Sequence, residues 1–310
     1  MVTASHVLSF DVEEYFHVEA FRHAIGRNEW ESRPSRVTPF TEALLDLLDE
    51  ADVRATFFVL GWVAERHGAL VQAIAARGHE VASHGYGHRM ASTMTPREFA
   101  EDVRQARRVL SDLSDADVVG YRAPTFSVMP PTAWVFDVLR AEGYTYDSSV
   151  YPIRHDRYGW PDFPRSPVRI VWPDGGVFDE YPLATLDTPF GAFPVAGGGY
   201  FRALPGAAFR WAWRRLTQAR RTSVFYLHPW ELDAGQPRVR VGVLTRWRHC
   251  VGLASTAERL RRMLREFPWT SFRDLRDAAS APGTTLSRED WTPQPVPQLT
   301  PRTPSAATPS

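Results

Sequence analysis

Glu80-Val81-Ala82-Ser83-His84-Gly85-Tyr86-Gly87-His88 runs a short β-rich stretch straight into a polar, glycine-bearing loop. Parallel α/β folds gather their chemistry where strands end, so this junction predicts both a fold class and a site. His84 and His88 stand four apart. That spacing puts two imidazoles on one side of a helical turn, or lets a tight glycine loop converge them on a metal. Taken alone, His-x-x-x-His is a weak signal, because loop histidines are commonly solvated or hydrogen-bonded.

Working outward, the pattern repeats. Upstream, His6-Val-Leu-Ser-Phe-Asp11 reads as a strand that ends in carboxylates, Asp11, Glu13 and Glu14. A helix opening at Pro39 carries Phe40, Leu44, Leu47 and Leu48 on one face. Then come a strand over 55–60, a helix over about 62–76 closed by Gly78, and the strand 80–83. Downstream, Thr95-Pro-Arg-Glu98 is a capping box with proline at the first helical position, and Phe99, Val103, Ala106, Leu110 and Leu113 mark a buried stripe. Further strands are expected at 118–121, 144–147, 177–183 and 223–227, with a helix over 132–142. Alternating strands and helices imply a mainly parallel sheet, open or closed into a barrel.

Between Tyr151 and Tyr200, Pro, Gly and aromatics occur without helical period, which predicts long ordered loops with short strands. Residues 282–310 hold seven prolines and few large aliphatics, a composition that cannot bury enough apolar surface to offset ordering entropy. The expected organisation is one catalytic domain over 1–280, with inserted loops at about 151–200, a C-terminal extension at about 231–280, and a Pro-rich disordered tail over 281–310.

Composition excludes several chemistries. All 36 basic residues are arginine and balance 36 acidic ones. Without lysine, neither a Schiff-base enzyme nor a P-loop nucleotide hydrolase can be built. Zero formal net charge argues against nucleic acid as a main partner. The lone Cys250 excludes an intramolecular disulfide or CxxC pair and reads as a small buried hydrophobe. No signal peptide or transmembrane run is visible, so a cytoplasmic location is expected. Arg210 to Arg221 reads as a helix with Trp211, Trp213 and Leu216 inward and guanidiniums wet.

Five strand-end segments carry chemistry: Ser9-Phe-Asp11-Val-Glu13-Glu14, Ser83-His84-Gly-Tyr-Gly-His88, Gly120-Tyr-Arg122-Ala-Pro124, Tyr146-Asp147-Ser-Ser149, and Tyr226-Leu-His228-Pro-Trp230. In order and content they resemble the motifs of the polysaccharide deacetylase family (nodulation-type deacetylases, carbohydrate esterase family 4), across about residues 5–230. Segments 151–159 and 196–202 further resemble a subgroup associated with exopolysaccharide export and exosortase systems.

The resemblance implies a distorted parallel (β/α) barrel and hydrolysis of N-acetyl groups on an N-acetylated glycan, with possible partnership in a polysaccharide export system. It implies a divalent metal, zinc foremost, held by one carboxylate, His84 and His88. Asp11 is then the general base, Arg122 its positioner, His228 the general acid and Asp147 the group that orients His228. Pro124, Thr125 and Trp230 are expected at the substrate or oxyanion position. Many family members have two adjacent aspartates in the first motif, whereas here Asp11 is followed by Val12, Glu13 and Glu14. Strand alternation puts Asp11 and Glu13 on one face, which favours Glu13 as ligand, with Glu14 the alternative. Two other functions fit the same residues: an allantoinase-like amidohydrolase opening a cyclic amide or ureide, and a catalytically silent carbohydrate-binding protein.

Overall fold

The computed structural model describes residues 6–189, 191–278 and 283–291. Among the described residues twelve strands form in chain order: β1 His6–Val12, β2 Thr56–Val59, β3 Glu80–Ser83, β4 Gly120–Tyr121, β5 Tyr146–Asp147, β6 Val168–Val171, β7 Val177–Glu180, β8 Thr185–Thr188, β9 Gly191–Pro194, β10 Val224–Leu227, β11 Trp269–Thr270 and β12 Thr284–Ser287. The main sheet runs β10-β1-β2-β3-β4-β5-β7-β6-β12, with β11 pairing β1; β8 and β9 form a separate antiparallel ribbon. From β10 through β7 every pairing is parallel.

Parallel strands are covered on both faces, which is why β1, β2 and β10 read as near-continuous apolar runs. All three are buried throughout. Just beyond β7, Leu183 bridges Val224 of β10 and donates its N–H to the Val150 carbonyl. That single bridge brings the far end of the parallel sheet back to β10, so the sheet curls into a distorted barrel. β6 pairs antiparallel with β7 and carries β12 at the outer edge.

Local chemistry fixes the helices. Thr95 and Glu98 cap the helix Pro96–Ser114 reciprocally, at 3.3 and 2.9 Å, and Phe99, Val103, Ala106 and Leu110 are buried beneath it. The helix expected over 62–76 is two helices, Gly61–Arg66 and Gly68–Ala76, broken at His67 (φ −130°, ψ 48°). In the helix Gly206–Gln218, Trp213 and Leu216 pack inward, but Trp211 is exposed. Cys250, expected buried, is exposed.

The expected tail begins too early. Thr284–Ser287 pairs in parallel with β6, and Arg288 forms a fork on Asp137. Trp291 packs against Phe136, Trp160 and Phe163, with ring centroids 5.5–5.6 Å apart. One aromatic and one strand edge suffice to order a segment whose average composition is poor in core residues. The rest of that tail, 292–310, lies outside the described residues, as do 279–282.

Candidate active site and metal centre

The C-terminal ends of β1 and β3 bring Glu13, His84 and His88 together. One ligand atom from each lies within 4.8 Å of the others, and all three residues are buried. His84 Nδ1 is 2.9 Å from the Arg122 carbonyl. That carbonyl can only accept, so Nδ1 carries the proton and the Nε2 lone pair faces Glu13 Oε2, 4.0 Å away. Backbone support of this kind is how metal-ligating histidines are held in one tautomer. His88 Nε2 lies 2.5 Å from the same oxygen, which receives no aligned hydrogen bond.

Electrostatics suit a cation. Burial pushes the Glu13 carboxyl up, but His88, His228 and His84 outweigh it and hold Glu13 well below the usual carboxylate range. Burial holds His84 down at about 4, against the pull of Asp11, so it is neutral. Two imidazoles and one carboxylate form a donor set that fits a zinc-type ion and leaves coordination positions open.

The His84–His88 loop is a tight glycine turn and not a helical one. Gly85 sits at φ +73°, and a Cβ there would meet Asp102 Oδ2 at 2.9 Å. Asp102, from the helix Pro96–Ser114, accepts the Tyr86 and Gly87 N–H groups at 2.8 and 3.2 Å. Arg27 donates to the His88 carbonyl at 3.0 Å. His17 lies nearly parallel to His88 with centroids 6.0 Å apart. Asp102, Arg27 and His17 escaped the sequence reading, since nothing local marks a helix carboxylate as the support of a loop fifteen residues away.

Glu14 points elsewhere. Its carboxylate accepts from the Arg36 and Val37 N–H groups at 3.0–3.2 Å and from the Ser35 hydroxyl, capping the helix Val37–Ala51. Its oxygens are engaged at a helix N-terminus, where a carboxylate is favoured. Glu13 is therefore the carboxylate that joins His84 and His88.

Asp11 lies beside this trio. Arg122, fully buried, donates Nη1 to Asp11 Oδ1 at 2.7 Å and to Ser9 Oγ at 2.8 Å, and its Nε and Nη2 go to Ser148 at 2.9 and 3.0 Å. Every direction of the guanidinium is fixed. Opposite, at the end of β10, His228 Nε2 is 3.9 Å from Asp11 Oδ2 and 3.6 Å from Glu13 Oε1.

The partner of His228 is Glu231, not Asp147. Glu231 Oε1 is 2.8 Å from His228 Nδ1 and accepts the His228 N–H at 3.0 Å, while Arg202 Nε donates to Oε2 at 2.6 Å. Burial lowers His228, but the hydrogen bond to Glu231 and the charges of Glu13, Glu231 and Asp11 raise it to about 8. The signal was present in His228-Pro-Trp-Glu231: a carboxylate three residues on, after proline at the first helical position, returns to cap its own start. Asp147 faces Glu180 across the β5–β7 ladder, accepts from Ser149 at 2.5 Å, and supports the floor beneath Arg122.

The cleft above these groups holds about 250 Å³ and is lined by Asp11, His84, His88, Thr125, Tyr158 and His228, among others. Two adjoining lobes, about 230 and 360 Å³, extend it along Gly199 and Arg248. Thr125 borders it with positive φ (59°), a conformation non-glycine residues adopt at functional turns. Pro124 is buried just before that turn. Trp230 is buried beneath the cleft, stacked on His228 at 4.8 Å.

Residues 30–146 match the family described as Polysaccharide deacetylase, and residues 148–277 match a Domain of unknown function (DUF3473). A peptidoglycan-N-acetylglucosamine deacetylase of Bacillus cereus is 35% identical over 92 residues, 30% of this chain and 31% of the relative. The chain spans less than half the length of the first curated relatives it matches. A Mycobacterium smegmatis structure assigned to the polysaccharide deacetylases superposes with TM-score 0.59 at 19% identity, covering 96% of this chain and 95% of that one. The Puue allantoinase superposes with TM-score 0.57 at 17% identity, covering 87% and 88%. These two likenesses speak to the barrel alone. His84, His88 and Arg122 fall inside the deacetylase match, whereas Arg202, His228 and Glu231 fall in the second. Residues 30–146 thus resemble the polysaccharide deacetylases, and the cleft joins residues of that segment to others from the match of unknown function, with Asp11 and Glu13 preceding both.

Proposed function

We propose that this chain hydrolyses N-acetyl groups on an amino-sugar polysaccharide or oligosaccharide, in exopolysaccharide or cell-wall metabolism. The observation that carries the reading is the meeting of Glu13, His84 and His88 with Asp11 and His228 on one wall of one cleft. Glu13, His84 and His88 would hold a divalent metal, zinc foremost, which when bound supplies Lewis acidity to the scissile carbonyl and acidity to water.

The chain's own residues supply the proton transfers. Asp11, fixed by Arg122, takes the proton from the attacking water. His228, kept protonated near neutral pH by Glu231, gives a proton to the leaving amine as the carbon–nitrogen bond breaks, releasing acetate and a free amino sugar. Thr125 borders the position of the developing oxyanion. His155 stacks on Tyr158 at 3.9 Å along the cleft, and such ring faces suit pyranose units.

The test is acetate release from N-acetylglucosamine oligomers by metal-replete protein, with allantoin as control. Release should rise with chain length, because remote sugar units can help position the reacting amide. Ring opening of the ureide without acetate from any N-acetylated glycan would overturn the reading.

A further inference from the structure

The helix Val243–Cys250 presents an apolar stripe to solvent. Val243, Leu244 and Trp247 are 74%, 59% and 54% exposed, among the most exposed large hydrophobics described. At about 100° per residue these three share one side of the helix. Arg246 and Arg248 fall on its two flanks, and Thr245 and His249 fall opposite. The opposite side is seated: His249 is buried, stacks on Trp230 at 4.4 Å, and its Nε2 lies 2.6 Å from Gln236 Oε1. Arg202, which also holds Glu231, donates to the His249 and Val251 carbonyls at 2.9 and 2.5 Å. The helix is thus rigidly tied to the stack that carries His228.

Charge around the stripe has one sign. Between Asp233 and Glu258 the sequence contains no carboxylate and four arginines, Arg238, Arg240, Arg246 and Arg248. All four are exposed, and among the described residues none of their guanidiniums has an ion-pair or hydrogen-bond partner. Solvated apolar side chains flanked by unpaired arginines, with Trp at the boundary, match an anionic bilayer surface. An acidic glycan would account for the arginines but not for the solvated Val243 and Leu244.

We infer that the helix Val243–Cys250, with the arginines of the preceding loop, docks on an anionic phospholipid surface and holds the cleft mouth beside it. Arg248 both flanks the stripe and lines all three lobes of the cleft, so the bound surface and the cleft share an edge.

Vesicle sedimentation of the full chain tests this, with phosphatidylcholine alone and with phosphatidylcholine mixed with phosphatidylglycerol. Binding should require phosphatidylglycerol and weaken in high salt. V243S/L244S and, separately, R240Q/R246Q should each weaken it about tenfold or more, leaving acetate release from a soluble oligosaccharide unchanged. A polarity-sensitive dye on Cys250, the sole cysteine and exposed, should shift to the blue with the mixed vesicles only. No sedimentation with either vesicle, or binding indifferent to both variants, would overturn the inference. Capture by an immobilised polyuronate without vesicle binding would overturn it too and give the surface to an acidic glycan. Neither vesicle binding nor the dye shift depends on the acyl group the cleft removes.

Discussion

Glu13 and the Asp147–Glu180 pair are equally buried, yet burial ends in opposite charge states. Around Glu13 the neighbours are imidazoles, and the carboxyl is held ionised. Across the β5–β7 ladder the neighbour is another carboxyl. Burial raises both: Asp147 goes to about 6, pulled back by the hydrogen bond from Glu180, while the charge of Asp147 and the same hydrogen bond push Glu180 further up. Asp147 Oδ2 and Glu180 Oε2 are buried and neither has an aligned hydrogen bond to a third group, so ionising both carboxyls together is disfavoured. Desolvation alone does not decide the charge of a buried acid; the sign of its partner does. The first arrangement offers a cation a place to bind, and the second is closed to it.

Breaking the reactive side of this contrast should have the largest effect. Asp11→Asn and His228→Ala should each lower kcat about 10²-fold or more with metal still bound, and the double variant should lose less than the product. Near-normal kcat in either would remove that residue from the proton transfers. Glu231→Gln should cost about tenfold to 10²-fold in kcat, and Asp147→Asn less, because only Glu231 touches His228. The reverse ranking would restore Asp147 as the orienting group.

Stability separates the two regions further. Deleting residues 283–310 removes β12 and Trp291 and should lower the melting temperature by roughly 5–10 °C, whereas deleting 292–310 should leave it unchanged. Equal melting temperatures for both truncations would show that the β6–β12 edge contributes nothing. The smallest effect is pH dependence. With Asp147 and Glu180 raised in the folded state, the native protein binds more protons than the unfolded chain. The contribution of Asp147 is full below about pH 4 and is lost as pH rises through about 6, while that of Glu180, raised further, is lost higher. Melting temperature should therefore slope downward across that window, and Glu180→Gln should flatten it; an unchanged slope in Glu180→Gln would assign it to other groups.

The parallel sheet was legible because its strands end in polar residues and its helices carry clear caps and stripes. The Glu13, His84 and His88 cluster was legible for the same reason, with strand alternation separating Glu13 from Glu14. What escaped were contacts with no local period. Asp147 carries the expected motif, but its side chain is taken by Glu180 and Ser149, and His228 finds a nearer carboxylate at Glu231. Asp102 and Arg202 reach their targets across the fold, and Trp291 orders a segment whose average composition argued against order.

Metal content of the Glu13→Ala and Glu14→Ala variants tests the central claim most directly. About one divalent ion per chain is expected in the wild type, none retained in Glu13→Ala, and full retention with a lowered melting temperature in Glu14→Ala, where only a helix cap is lost. Full metal content in Glu13→Ala would contradict the site described here.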